Sequence, residues 1–141
     1  MTTHAKARRL DFTTDVSASV ARADAVFIAV GTPSRRGDSH ADLTYVYAAA
    51  REIADAISGF TVLVTKSTVP VGTGGQVERL IREVNPAADV VIAFDPEFLR
   101  ESAAIRDFKF PDCIVIGTTD DAGRIKILLW LGSEIRYESS R

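Results

Sequence analysis

Three short, almost unbroken apolar runs set the rhythm of the chain, at 25–30 (AVFIAV), 61–66 (TVLVTK) and 89–94 (DVVIAF). Each is too short for an ordinary helix, rich in β-branched residues and apolar on both faces. A strand buried inside a parallel sheet is written this way. A fourth run, 113–117 (CIVIG), predicts a final strand, and 10–14 a short first one. Between the runs, apolar residues recur at helical spacing. Val46, Ala49, Ala50, Ile53 and Ile57 share one face of a helix that Asp42 caps and Gly59 ends. Val77, Leu80, Ile81 and Val84 share one face of a second, over 76–84. Asp15 and Ser17 are cap candidates for a helix over 16–22, and Asp95-Pro96 opens a turn into a short helix, FLRESAAI. Strands alternating with helices predict an α/β fold, a parallel sheet with right-handed crossovers and flanking helices.

Composition narrows the function classes without choosing one. The 141 residues make one domain, and 46% hydrophobic with 26% charged residues is ordinary globular usage. A formal charge of −2 gives no electrostatic reason to expect a nucleic-acid or membrane partner. The single cysteine, Cys113, allows no internal disulfide and, set in an apolar strand, is expected to be an inert buried thiol. Two distant histidines, His4 and His40, suggest no metal site. The N-terminus has no apolar core of a secretory signal and no run approaches a membrane span, so a cytoplasmic protein is expected. Residues 1–120 are expected to form one α/β unit. Residues 121–141 form an atypical tail, helical in part and interrupted by Gly132.

If the sheet is parallel, the loops leaving the strands' carboxyl ends share one edge, where such folds bind ligands. The first is GTPSRRG, in which Gly31-Thr32-Pro33 turns the backbone sharply beside a hydroxyl. It also suits an ordinary strand-ending turn. The second, STVPVGTGG from Ser67 to Gly75, sets two hydroxyls and a proline before a glycine-led helix start. A helix start of this kind suits a polar or anionic ligand, or is simply a capped terminus. It lacks the GxxxxGK[ST] arrangement of a P-loop. The third brings Asp95, Glu97 and Glu101 into seven residues. Glu97 and Glu101 fall one turn apart on a helix face, where desolvation raises the pKa of one of two neighbouring carboxylates toward that of a general base. A solvated acidic first turn accounts for the same spacing.

Taken in order, DAVFIAVGTPSRRGDSHADLTYV (24–46), VTKSTVPVGTGGQVE (64–78) and PEFLRESAAIRDFKFPDCIVIG (96–117) resemble the UDP-glucose/GDP-mannose dehydrogenase family, nearest its UDP-glucose 6-dehydrogenase branch. The resemblance implies an incomplete Rossmann-like domain and NAD as cofactor. It also implies oxidation of a sugar C6 alcohol to a carboxylate in two hydride transfers through a cysteine-linked thioester. Val30, Gly31, Thr32, Pro33 and Ser34 would lie along the NAD, with Ser67 and Thr68 near its nicotinamide end. Glu97 would be the general base or water activator, assisted by the Thr68 hydroxyl. Phe98, Leu99 and Arg100 would line the UDP-sugar, and Glu101 would touch both cofactor and substrate.

The family's opening strand with its GxGxxG loop has no counterpart here, and neither does its Gly-rich segment with the nucleophilic cysteine. A fragment inactive by itself is therefore expected. Asp95 stands where relatives usually carry Asn or Ser, adding a charge beside Glu97. Two other functions remain open. One is a non-catalytic nucleotide-binding or interaction module that pairs with another chain, a homo-oligomer among the options. The other is a dehydrogenase of UDP-N-acetylmannosamine or GDP-mannose.

Overall fold

A computed structural model describes residues 10–34, 41–95, 102–109 and 117–118. Helix α1 (Val16–Val20) begins as expected at Asp15, whose carboxylate accepts from the Ala18 amide at 2.9 Å. The strand expected over 10–14 is not formed. Over residues 10–15 the side chains bond the local backbone instead: Asp11 accepts from the Phe12 amide and Thr13 from the Asp15 amide. Such short-range bonds compete with a ladder, and Phe12 stays 71% exposed.

The sheet has the order β1-β2-β3-β4, formed by Ala25–Ile28, Thr61–Thr65, Val90–Phe94 and Gly117–Thr118. β1, β2 and β3 are parallel, in registers that set Ile28 beside Thr65 and Thr65 beside Phe94. β4 departs from the expected all-parallel sheet, because it pairs antiparallel to β3, Phe94 with Gly117 and Ala93 with Thr118. The chain enters β4 beside the carboxyl end of β3, so it can only run back along it. The helix between them in sequence, α4, spans Ala104–Lys109. The expected strand residues 113–116 lie outside the described residues, as do Cys113 and the tail over 121–141.

Helices α2 (Thr44–Ala56) and α3 (Thr73–Val84) bury Val46, Ala50, Ile53, Val77, Leu80 and Ile81 against Ile28, Leu63 and Val90 on one face of the sheet. The helical spacing selects all of these helix residues, but also Val84, which is 37% exposed at the end of α3. Val62, Val64 and Ala93 form a second buried cluster, with Phe60 packed against it. β2 is buried throughout, but β1 is not: Phe27 is 48% exposed and Ala25 and Val26 are half-buried. Burial of both faces, expected for every run, fails for β1 because it is an edge strand among the described residues.

Two helix starts differ from the sequence reading. α2 has Leu43 as its N-cap, while the Asp42 carboxylate still accepts from the Thr44 amide at 3.0 Å and the Thr44 hydroxyl at 2.6 Å. α3 starts three residues before the predicted position, so Gly74 and Gly75 belong to its first turn. Glycines disfavour a helix interior, but here close packing needs one. A Cβ on Gly74 would lie 2.3 Å from the Phe94 ring, so only glycine lets α3 settle this near β3.

Candidate functional site at the carboxyl edge of the sheet

The aligned ends of β1, β2 and β3 bring the three loops to one edge, as their parallel register requires. The ladder continues one residue past the strands: the Lys66 amide donates to the Ile28 carbonyl at 2.9 Å, and the Asp95 amide to the Thr65 carbonyl at 3.1 Å. Beyond that point side chains stitch the loops together. The Ser67 hydroxyl donates to the Val30 carbonyl at 2.6 Å, and the Thr32 hydroxyl to the Thr68 carbonyl at 3.3 Å. Val30, Thr32, Ser67 and Thr68 therefore share one small region. Pro33 and Ser34 are held in a hairpin-like turn by the Asp42 amide, which donates to the Pro33 carbonyl at 2.8 Å, and by a bridge between Ser34 and Ala41.

The hydroxyls have different work. That of Ser67 is committed to fastening loop one, whereas Thr68 is exposed and its hydroxyl makes no hydrogen bond to a described residue. Thr68 thus retains a donor and an acceptor for a water or ligand.

The second loop turns into α3 at Gly72, whose φ of +90° is a conformation few side chains tolerate. The Thr73 hydroxyl and amide both donate to the Pro70 carbonyl, at 2.7 and 3.2 Å, which fixes the turn. No side chain caps this helix. The amides of Gly74 and Gly75 consequently have no hydrogen-bond partner among the described residues, and open space lies within 4 Å of a Cβ position at Gly75 and at Gly31. Free helical amides beside backbone with room around it suit a polar or anionic group. Thr65, fully buried at the foot of this loop, has a hydroxyl without a partner.

One functional contact escaped the sequence reading. The Lys66 ammonium lies 3.1 Å from the Asp95 carboxylate, both side chains mostly buried, so the extra acid beside Glu97 is charge-paired. The signal was present in the register. Thr65 and Phe94 are partners, so the residues after them are neighbours too. Glu97, Phe98, Leu99, Arg100 and Glu101 lie outside the described residues. Among the described residues no group of three or more His, Cys, Asp or Glu is placed to hold a metal ion, and no helix is long and apolar enough to cross a membrane.

The sequence model for the NAD binding domain of the UDP-glucose/GDP-mannose dehydrogenase family matches residues 1–131. The chain belongs to that family. Among curated members, it is 70% identical to a UDP-glucose 6-dehydrogenase of Rhizobium meliloti over 118 residues, covering 84% of this chain and 27% of that one. A UDP-glucose 6-dehydrogenase of Bacillus subtilis is 47% identical over 114 residues, 80% of this chain and 26% of the relative. The chain thus spans about a quarter of the length of these relatives. Among solved members, a UDP-glucose dehydrogenase from the hyperthermophilic archaeon Pyrobaculum islandicum superposes with a TM-score of 0.83 at 41% identity, covering 89% of this chain and 30% of that one. A GDP-mannose dehydrogenase from Pseudomonas aeruginosa, solved as a ternary complex, gives 0.84 at 37% identity with the same coverage. The Rossmann-type fold expected from the resemblance is that of the family.

Proposed function

We propose that this chain forms the NAD-facing edge of a UDP-glucose 6-dehydrogenase, the enzyme that oxidises UDP-glucose to UDP-glucuronate. The observation that carries this reading is the interlocking of loops one and two, Ser67 to Val30 and Thr32 to Thr68, around an unbonded Thr68 hydroxyl and the free amides of α3. That surface offers polar groups and backbone accessible through Gly31 and Gly75, which fits a dinucleotide. Relatives named as UDP-glucose 6-dehydrogenases at 70% and 47% identity support glucose over mannose or N-acetylmannosamine as the sugar.

On this reading Val30, Gly31, Thr32, Pro33 and Ser34 hold the cofactor along loop one, with Ser67, Thr68 and Glu101 toward its reactive end. NAD, when bound, accepts the hydride from the sugar's C6. Glu97 takes the proton released in that oxidation, directly or from a water held by the Thr68 hydroxyl. Phe98, Leu99, Arg100 and Glu101 line the UDP-sugar. The Lys66–Asp95 pair anchors the chain two residues before Glu97. Residues 1–120 act as the nucleotide-binding unit, with 121–141 as an appended tail. The protein works in the cytoplasm, and the half-exposed strand β1 provides an edge through which it assembles with further chain.

A chimera tests this directly. Residues 24–117 replace the matching stretch of the Rhizobium meliloti enzyme, and NADH production from UDP-glucose and NAD is followed. The chimera is expected to turn over, and Glu97→Gln within it to lower kcat by about 100-fold or more. A folded chimera without activity, or Glu97→Gln at full rate, contradicts the proposal.

A further inference from the structure

A second candidate site lies away from the carboxyl edge, between α2 and α3 on the outer side of the helical layer. α2 contributes positions 44, 47, 48 and 51, and α3 positions 76, 79, 80 and 83, to a groove of about 480 Å³. Both sets follow the i, i+3, i+4, i+7 spacing of a single helix face, so the groove has two matched walls. The Tyr47 hydroxyl donates to the side-chain oxygen of Gln76 and ties the walls together near the helices' N-terminal ends. The nearly buried Leu80 adds an apolar surface.

The charges in this groove are left open. Arg51 on one wall and Arg79 on the other are exposed and form no ion pair or hydrogen bond with a described residue. Arg82, three positions from Arg79 on α3, shows the contrast: its guanidinium is paired with Glu78 at 3.1 Å. Glu83 is the one acidic residue on the lining, against two arginines. Two guanidiniums without a described partner, one on each wall, outnumber the single lining carboxylate, and each planar fork can bond one phosphate through paired N–H groups. The volume is within the range of small-ligand sites.

We propose that this groove binds a diphosphate-bearing small molecule, with Arg51 and Arg79 each holding one phosphate. The site is separate from the carboxyl-edge loops and does not depend on the dehydrogenase reading.

Calorimetric titration of the full 141-residue chain with inorganic pyrophosphate at low salt tests it. The expected result is saturable one-to-one binding, with inorganic phosphate at least tenfold weaker. Arg51→Gln and Arg79→Gln should each weaken pyrophosphate about tenfold or more, and Glu83→Gln should tighten it. Arg82→Gln, a charge change on the same helix outside the groove, should leave the affinity unchanged. The far-UV spectrum checks that each variant keeps its helices, which exposed side chains should not disturb. Absence of saturation at millimolar pyrophosphate overturns the proposal. So does equal binding of phosphate and pyrophosphate, unchanged affinity in the double arginine variant, or a loss in Arg82→Gln equal to that in Arg79→Gln.

Discussion

The ammonium of Lys66 and the carboxylate of Asp95, 3.1 Å apart, join the first residues beyond two neighbouring parallel strands. Asp95→Ala leaves a mostly buried lysine without its partner and should lower stability by about 1–3 kcal/mol. Asp95→Asn keeps an acceptor for the ammonium and should cost clearly less. Urea unfolding midpoints separate the two, and equal losses would show that the pair is not what holds the third loop.

The Ser67 hydroxyl performs a fastening task that an apolar side chain cannot. Ser67→Ala removes the 2.6 Å bond to the Val30 carbonyl and should reduce stability by about 1 kcal/mol. It should also loosen loop one, seen as faster amide hydrogen exchange around Val30 to Thr32. Unchanged exchange there would contradict the stitching of the two loops.

Thr68 should behave oppositely. Its exposed hydroxyl bonds to no described residue, so Thr68→Val should leave the melting temperature of the chain unchanged. In the chimeric enzyme the same change should reduce kcat by about tenfold or more, the effect of losing a positioned water. A loss of stability without a loss of rate would move Thr68 from chemistry to structure.

Gly74 is set against the ring of Phe94. Alanine ordinarily stabilises a helix by about 1 kcal/mol over glycine, but a methyl group 2.3 Å from the ring forces displacement at about 1–3 kcal/mol. Gly74→Ala should therefore destabilise the chain or leave it no more stable. The same change in a Phe94→Leu background should stabilise it. Thermal melts of the four proteins in that cycle measure the coupling, and additive effects would exclude the clash.

Much of this arrangement is legible in the chain. Unbroken apolar runs and period-3.6 patterning locate β1, β2, β3, α2 and α3 within a few residues, and the apolar helix faces around Val46 and Val77 are the buried ones. What escapes is set by partners distant in sequence. Nothing in AVFIAV distinguishes an edge strand from a central one, because exposure of Phe27 depends on which strand lies beside it. The direction of β4 depends on where the connection delivers the chain. The start of α3 is obscured because Gly74 and Gly75 punctuate loops as a rule, whereas here Phe94 demands a glycine inside the helix. At the site, loop membership is readable from motif and strand ends, but the division of labour between Ser67 and Thr68 is not. Adjacent hydroxyls look alike until Val30 is seen to take one of them.

The central claim is that loops one and two form a cofactor-holding edge. Amide chemical shifts of the labelled chain during titration with NADH test it most directly. In the chain carrying Arg51→Gln and Arg79→Gln, whose outer groove no longer holds a diphosphate, the account predicts saturable changes clustered at residues 30–34 and 66–68 and at the amides of Gly74 and Gly75, with little change on the outer faces of α2 and α3. Saturation with shifts confined to those outer faces, or no saturable change at millimolar NADH, would contradict it.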